Sequence, residues 1–157
     1  LPNGKEDWTY VVDKKSKWIE KKYDELVRRK KLFDKNGFFY DGKYYPSSEK
    51  ETEKNKRWLA EKAREYLAEN LGKYALGVKP KSFRAVDKKS WGSCSSKGNL
   101  SFNFRITCLP EELRRYVVIH ELVHLKEFNH SKTFWSEVEK FCPNYKALRK
   151  ALKSFRP

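Results

Sequence analysis

Three histidines lie between positions 120 and 130, and the 157-residue sequence contains no others. On an α-helix, residues four apart lie on one face about one turn apart, so His120 and His124 can direct their imidazoles at one metal ion. Glu121 lies about 100° further round the helix, where a general base could take a proton from a water on that metal. This is the mechanical meaning of an H-E-x-x-H sequence. The segment therefore predicts a helix that carries a metal site.

His130 restricts the fold further. In an uninterrupted helix it would lie about 9 Å beyond His124 along the axis, too far to share a zinc ion. The chain must therefore turn near Phe128 and Asn129, and Asn129 is a candidate for a left-handed helix cap. Three histidine ligands leave the fourth position of a tetrahedral zinc site open to water, which is typical of a catalytic site. An accidental H-x-x-x-H pair is the alternative, but it does not account for a third histidine in the same short segment.

The sequence is strongly basic, with a net charge of +15 at pH 7. Residues 79–107, just before the histidines, contain seven Lys or Arg and one Asp, which gives a local charge of +6. Such a surface attracts polyanions, nucleic acid above all, because contacts with phosphates release counterions. The alternatives are that the lysines only solvate helix faces, or that the many charges, with no Met or Gln, reflect a thermophilic protein. The charge alone leaves non-specific contact with DNA or RNA open.

The three cysteines, Cys94, Cys108 and Cys142, are an odd number at irregular spacing. This pattern predicts free thiols in a reducing compartment, and we expect a cytoplasmic protein. The sequence has neither a run of 18 apolar residues nor a hydrophobic N-terminal segment, so it predicts no membrane span and no signal peptide. Since the chain starts at Leu1 and contains no Met, we expect a processed form or a fragment.

The length predicts a single domain over residues 1–157, large enough to bury a core. Residues 1–78 are predicted to form a helical region with a short aromatic hairpin. Residues 79–157 are predicted to form the part that carries the metal site.

The first part contains recognisable starts and stops. Apolar residues recur every seven positions within residues 9–33 and predict an amphipathic helix. An Asp41-Gly42 pair between two aromatic runs predicts a hairpin. Ser48 and Glu51 form a capping-box sequence, which opens a second helix that runs to about Asn70.

The second part begins with short strands, predicted at residues 82–86, 90–94 and 99–104. Lys97-Gly98 joins the last two as a hairpin. Pro110 is expected at the first position of the metal-bearing helix. Ser131 caps a following helix, and Pro143-Asn144 separates it from a last one.

Several of these segments together resemble a known family. They are HELVH with Asn129-His130-Ser131 and Phe134-Trp135 after it, and, before it, Trp91-Gly92-Ser93-Cys94-Ser95 and Gly98-Asn99-Leu100-Ser101-Phe102-Asn103. Over residues 82–145 the chain resembles the YgjP-like metallopeptidases, small zincins that are similar to the SprT-like proteases. Residues 1–78 match that family only loosely. The ten-residue offset of His130 from His120 also occurs in metzincins. Glu at position 127 in place of their Gly, and the lack of a Met for a Met-turn, argue against that family.

The resemblance implies the fold class α+β, a zincin-like fold in which a small antiparallel sheet packs on the H-E-x-x-H helix with additional amphipathic helices around them. In such a fold an edge strand of the sheet can align a peptide. The resemblance also implies that His120, His124 and His130 bind one Zn²⁺ per chain and that Glu121 is the catalytic base. The expected function is that of a zinc-dependent metallopeptidase acting on a protein or peptide. A basic nucleic-acid-binding module with a structural metal, and a zinc hydrolase of a non-peptide substrate, are the alternatives.

Substrate contacts are less well defined by the sequence. Trp91, Ser93 and Asn103 are candidates for the substrate cleft; the alternative is that Trp91 lies in the core and Gly92 in a β-bulge. The oxyanion of the reaction needs a donor besides the metal. No fourth histidine exists, so the candidates for that donor are Tyr116, Tyr145 and Arg105.

Overall fold

Two three-stranded sheets and four α-helices make up the part of the chain that the computed structural model describes, residues 32–74 and 77–157. The strands are β1 (Phe33–Asp34), β2 (Gly37–Tyr40), β3 (Lys43–Pro46), β4 (Ser82–Val86), β5 (Gly92–Cys94) and β6 (Asn99–Asn103). The helices are α1 (Thr52–Lys73), α2 (Glu111–Val123), α3 (Lys132–Phe141) and α4 (Tyr145–Leu152). This α+β architecture confirms the predicted fold class.

The helix predicted over residues 9–33 lies outside the described residues except at its end. There the prediction is wrong, because Phe33 belongs to β1 and pairs with Phe38 of β2. The prediction of one domain over residues 1–157 also extends beyond the described residues. Residues Lys31–Pro157 form a compact unit in themselves.

The first sheet is the predicted aromatic hairpin, with β1 added at its edge. Asp41 and Gly42 form the turn with φ of 48° and 74°, both in the left-handed region that a tight two-residue hairpin requires. Phe38 and Phe39 of β2 are buried. The Phe38 ring lies 5.9 Å from that of Trp58, which attaches the hairpin to α1.

The capping box at the start of α1 is confirmed. The Glu51 carboxylate accepts a hydrogen bond from the Ser48 backbone N–H at 3.1 Å, as that motif requires. A single 3-10 turn precedes the helix, which then continues to Lys73, three residues beyond the predicted end. Leu59, Ala63 and Leu67 face the core with no exposed surface.

The second sheet positions the site. Its strand order is β4-β6-β5, with β6 in the centre. β5 and β6 form the predicted antiparallel hairpin, in which Gly98 has a φ of 78°. β4 pairs with β6 in parallel, so this sheet is mixed rather than purely antiparallel. Residue alternation predicts which face of a strand is buried but not which strand lies beside it, so the sequence could not predict this pairing.

Helix α2 lies at the centre of the core. Pro110 precedes it by one residue, and buried residues occur on nearly every side of it, Leu113, Val118 and Leu122 among them. The buried face of the second sheet, α3 and α4 all pack around it. None of the helices in the described ranges combines the length and the apolarity of a membrane-spanning segment.

Candidate metal centre

The chain turns sooner after the H-E-x-x-H sequence than predicted. Helix α2 ends at Val123, and short-range hydrogen bonds from Leu125 to Leu122 and from Lys126 to Val123 tighten its last turn. Asn129 is not left-handed, since Asp41 is the one non-glycine residue with positive φ in the described ranges. The prediction of a left-handed cap at Asn129 is therefore wrong. The chain turns all the same, because the helix ends early, and this turn brings His130 back towards α2.

The three histidines lie together. Their ring nitrogens provide three candidate ligand atoms, all within 4.8 Å of one another. Nε2 of His120 lies 3.1 Å from Nε2 of His130. Two nitrogen ligands at 2.0–2.1 Å from a tetrahedral zinc would lie about 3.3 Å apart, so this separation fits such an ion. The arrangement could hold a metal ion.

The protonation of the histidines also suits a metal. Nδ1 of His124 lies 3.0 Å from the backbone oxygen of Glu127, which can only accept a hydrogen bond, so Nδ1 carries the proton and Nε2 keeps its lone pair. Burial, together with the neighbouring His124 and His130, lowers the pKa of His120 to about 3. Burial also lowers the pKa of His130. The imidazoles of His120 and His130 are therefore neutral at pH 7, which is the form that binds a metal.

Aromatic packing orients the exposed member of the three. The ring of His130 stacks on that of Trp135 at 5.5 Å between centroids and 20° between planes. Trp135 in turn stacks on Tyr145 at 5.1 Å. Ser131 caps α3 as predicted, since its Oγ accepts a hydrogen bond from the N–H of Phe134 at 3.2 Å. The first turn of α3, which carries Trp135, therefore fixes the orientation of the His130 ring.

Glu121 lies on α2 beside the histidines and against β5. Its side chain is buried, with the residue 6% exposed. A Cβ at Gly92 of β5 would lie 2.6 Å from both Cγ and Oε1 of Glu121, so the carboxylate rests directly on the glycine. Burial raises the pKa of Glu121 to about 7, and the Lys88 ammonium acts in the opposite direction.

A cleft of about 360 Å³ connects these groups. Its lining consists of Gly92, Ser93 and Cys94 from β5, His120, Glu121 and His124 from α2, and Phe128 and His130 from the turn. Strand β5 is an edge strand of the second sheet among the described residues, and three of its residues line the cleft together with the histidines.

Of the three predicted substrate residues, the structure brings only Ser93 to the cleft. Trp91 is 9% exposed and lies in the core, which was the alternative for that residue. Asn103 is fully buried, and its side chain joins two backbone segments. Its amide donates to the Lys88 backbone oxygen and accepts from the Arg105 N–H. Trp91 and Asn103 therefore support the cleft from beneath instead of lining it.

The three candidates for an oxyanion donor also differ in position. The ring of Tyr116 lies 5.8 Å from that of His120. Tyr145 is buried against Trp135, so the Trp135 ring separates it from His130. Arg105 forms an ion pair with Asp87 at 2.8 Å and packs on Phe104. Tyr116 is thus the candidate with direct contact to the histidines.

Sequence reasoning missed three contributors to the site. The sequence does not predict the tight packing of Gly92 against Glu121, although Gly92 belongs to a segment that carries the family resemblance. Phe128 is 56% exposed in the cleft, and its place beside Asn129 in the turn was its only signal. Lys88 donates a hydrogen bond to Ser93 Oγ and acts on the pKa of Glu121. Nothing in the sequence distinguishes Lys88 from its many neighbouring lysines.

Comparison with known proteins bears on this arrangement. The family model of the YgjP-like metallopeptidase domain matches residues 43–155. The chain belongs to this family. The resemblance predicted from residues 82–145 is confirmed, and the match begins well before the segments that suggested it.

YgjP-like metallopeptidases are hydrolases that use a metal ion, and their family identifies a protein or peptide as the substrate. Among solved structures, a similar chain occurs in the crystal structure of the metallopeptidase zymogen of Pyrococcus abyssi abylysin. The two chains are 31% identical over 58% of this chain and 93% of that one, with a TM-score of 0.46. No match was found among curated proteins.

Proposed function

We propose that this YgjP-like protein is a zinc-dependent peptidase in which His120, His124 and His130 hold one Zn²⁺ and Glu121 is the general base. The observation that carries the proposal is the meeting of three imidazoles and one buried carboxylate at a single cleft. The nitrogen-only donor set and the 3.1 Å between the Nε2 atoms of His120 and His130 favour zinc.

A zinc ion held by these residues would supply Lewis-acid chemistry, which polarises a carbonyl and makes water acidic near neutral pH. The chain's own contribution starts with the backbone oxygen of Glu127, which fixes the tautomer of His124. Stacking on Trp135 holds His130 in place. Both contacts preorganise donors that would otherwise lose side-chain entropy on binding.

Glu121 takes the proton of the attacking water on its carboxylate and delivers it to the amide nitrogen that leaves. Its contact with Gly92 holds the carboxylate in one place between α2 and β5. Tyr116 does not line the cleft, but of the three candidates for the donor to the oxyanion it is the one whose ring packs against His120, and we take it as our candidate for that reason. Burial raises the pKa of Tyr116 to about 12, so its hydroxyl keeps the proton that such a donor needs.

A peptide is the substrate that suits the cleft best. The edge of β5 runs beside the histidines, and an extended peptide can pair with a free strand edge. Phe128 offers an exposed apolar wall for a substrate side chain. A purely structural metal would have no use for a carboxylate beside it, which is why we favour this function over a nucleic-acid-binding module. The three free thiols favour a reducing compartment such as the cytoplasm.

The test compares wild type with Glu121→Gln on an unfolded protein substrate. The variant should keep one zinc per chain and its thermal stability but lose at least about 100-fold in rate, because it lacks the proton acceptor. Activity within a few-fold of wild type would remove Glu121 from the mechanism. Metal content by mass spectrometry should give about one zinc per chain, and its removal by a chelator should abolish hydrolysis.

A further inference from the structure

The face of the second sheet that points away from the helices carries polar side chains in register. Arg84 of β4 lies opposite Ser101 of β6, and Ser101 lies opposite Ser93 of β5. Residues that alternate with them, Ala85 and Phe102 for example, are buried towards the helices. The row Arg84-Ser101-Ser93 therefore crosses all three strands on the outer face.

This face is concave. It encloses a cleft of about 370 Å³, here named the outer cleft, whose polar lining is Ser82, Arg84, Ser93, Ser95, Asn99 and Ser101. No acidic residue contributes to its lining. A guanidinium surrounded by hydroxyl and amide groups is suited to a carboxylate, which can accept two parallel hydrogen bonds from an arginine.

Lys88 adds a second positive charge. Its Nζ donates a hydrogen bond to Ser93 Oγ and approaches the Ser101 backbone oxygen at 3.4 Å. Burial lowers the pKa of Lys88, the Glu121 carboxylate counteracts this, and the nearby charge of Arg84 lowers it further. Across the described ranges, neither Arg84 nor Lys88 belongs to an ion pair. Two cations are thus placed close to each other, and neither has a carboxylate at ion-pair distance among the described residues.

The outer cleft adjoins the cleft of the histidines at the edge strand β5. Ser93 and Cys94 of that strand line both clefts. A polypeptide that lies along this edge can place one side chain in the outer cleft while its backbone reaches the histidines. At about 370 Å³ the outer cleft has room for a side chain or two, but not for a nucleic-acid duplex.

We propose that the outer cleft binds an acidic side chain, Asp or Glu, of the polypeptide substrate within a few residues of the scissile bond. This inference rests on the proposed peptidase function. In it, Arg84 and Lys88 determine the substrate specificity. The protein would then prefer acidic unfolded segments, in keeping with its own net charge of +15.

Binding tests the proposal without requiring turnover. Zinc-loaded Glu121→Gln protein is titrated, by fluorescence anisotropy, with two labelled peptides that differ only in Glu against Gln at three positions. The acidic peptide should bind about fivefold more tightly, as expected for one or two partly exposed ion pairs. Arg84→Glu should remove or reverse that preference, and Arg84→Gln should weaken it. Lys150→Glu is the matched control, because it makes the same change of charge at an exposed position outside both clefts and should keep the preference.

The other outcomes are equally decisive. Equal binding of the two peptides, or a preference that survives Arg84→Glu, would overturn the proposal. A labelled single-stranded oligonucleotide whose binding depends on Arg84, where peptide binding does not, would overturn it in favour of nucleic acid. If the wild type binds the acidic peptide selectively but cleaves no unfolded protein, the proposed peptidase function fails while the acidic binding site stands. Mapping of the sites that wild type cleaves should show acidic residues enriched near the cut, and a lack of enrichment would count against the proposal.

Discussion

The carboxylate of Glu121 lies against the backbone of Gly92, so closely that a Cβ at position 92 would be 2.6 Å from Oε1 and 2.8 Å from Cδ. Gly92 has no positive φ, so its backbone conformation would accept any residue. The space taken by Glu121, and not the chain geometry, therefore requires glycine at this position. The general base of the proposed reaction is thus held by the edge strand that we expect to bind the substrate.

Gly92→Ala should lower activity through Glu121. The new methyl group must displace either the carboxylate or strand β5, and a displacement of about 1 Å can cost on the order of 100-fold in rate. The atoms nearest to a methyl group at position 92 all belong to Glu121 and not to an imidazole, so we expect about one zinc per chain in this variant too. Steady-state kinetics with metal analysis checks both expectations.

Gly72→Ala is the matched control for that variant. Gly72 lies in α1, and among the described residues no atom beyond its chain neighbours and its own helix backbone lies within 4 Å of the position that an alanine methyl group would take, so alanine there fills open space. Activity should be unchanged, and helix propensity should add about 0.5–1 kcal/mol to the free energy of unfolding. Equal activity losses in the two variants would show that the effect at Gly92 is not specific to the carboxylate.

His130→Ala should sharply weaken zinc binding. Loss of even an outer partner of a ligand reduces metal affinity about 10- to 100-fold, and loss of a ligand should exceed that. Competition with a chromophoric chelator measures the affinity. Asn129→Ala is the control, because the hydrogen bond that Asn129 accepts from Ser131 uses its backbone oxygen and persists. Full zinc occupancy of His130→Ala after dialysis against chelator would contradict the proposed ligands.

Much of this arrangement could be predicted because the signals are local. The spacing of His120 and His124 fixes them on one helix face, and the turn chemistry of Asp41-Gly42 and Lys97-Gly98 fixes two hairpins. The failures involve contacts between distant segments. The parallel pairing of β4 with β6 and the burial of Asn103 depend on which strand lies beside which, and no local pattern records that. Lys88 and Gly92 acquire their roles only when β5 is placed against α2.

The cysteines should differ in reactivity in the native protein. Burial raises the pKa of Cys108 to about 12 and that of Cys142 to about 11, so both remain protonated and inaccessible. Cys94 is half-buried at the cleft, and burial together with Glu121 raises its pKa. We expect one slowly reacting thiol in the native protein, lost in Cys94→Ser, and three in denaturant without reductant. Fewer than three in denaturant would indicate a disulfide.

The positive surface of residues 79–107 gives a prediction about nucleic acid. If it contacts phosphates, binding should weaken steeply with salt, with about −0.9 added to the log–log slope for each phosphate neutralised on duplex. Lys88 is unsuitable for testing this, because it contacts Ser93 in the cleft wall. Lys81, Lys89 and Lys97 are exposed and suit the test better.

Reversal of those three lysines to Glu should flatten the salt dependence and leave zinc content and hydrolysis of an unfolded substrate unchanged. A triple reversal at the exposed lysines Lys54, Lys73 and Lys150 makes the same change in net charge elsewhere, so a specific surface predicts a smaller effect there. Affinity should be largely independent of base sequence, because contacts to phosphates carry no sequence information. Anisotropy with a labelled duplex and a labelled single strand at low salt gives the measurement. Absence of binding at tens of micromolar protein, or equal losses in the two triple variants, would leave these lysines with the role of keeping the protein in solution.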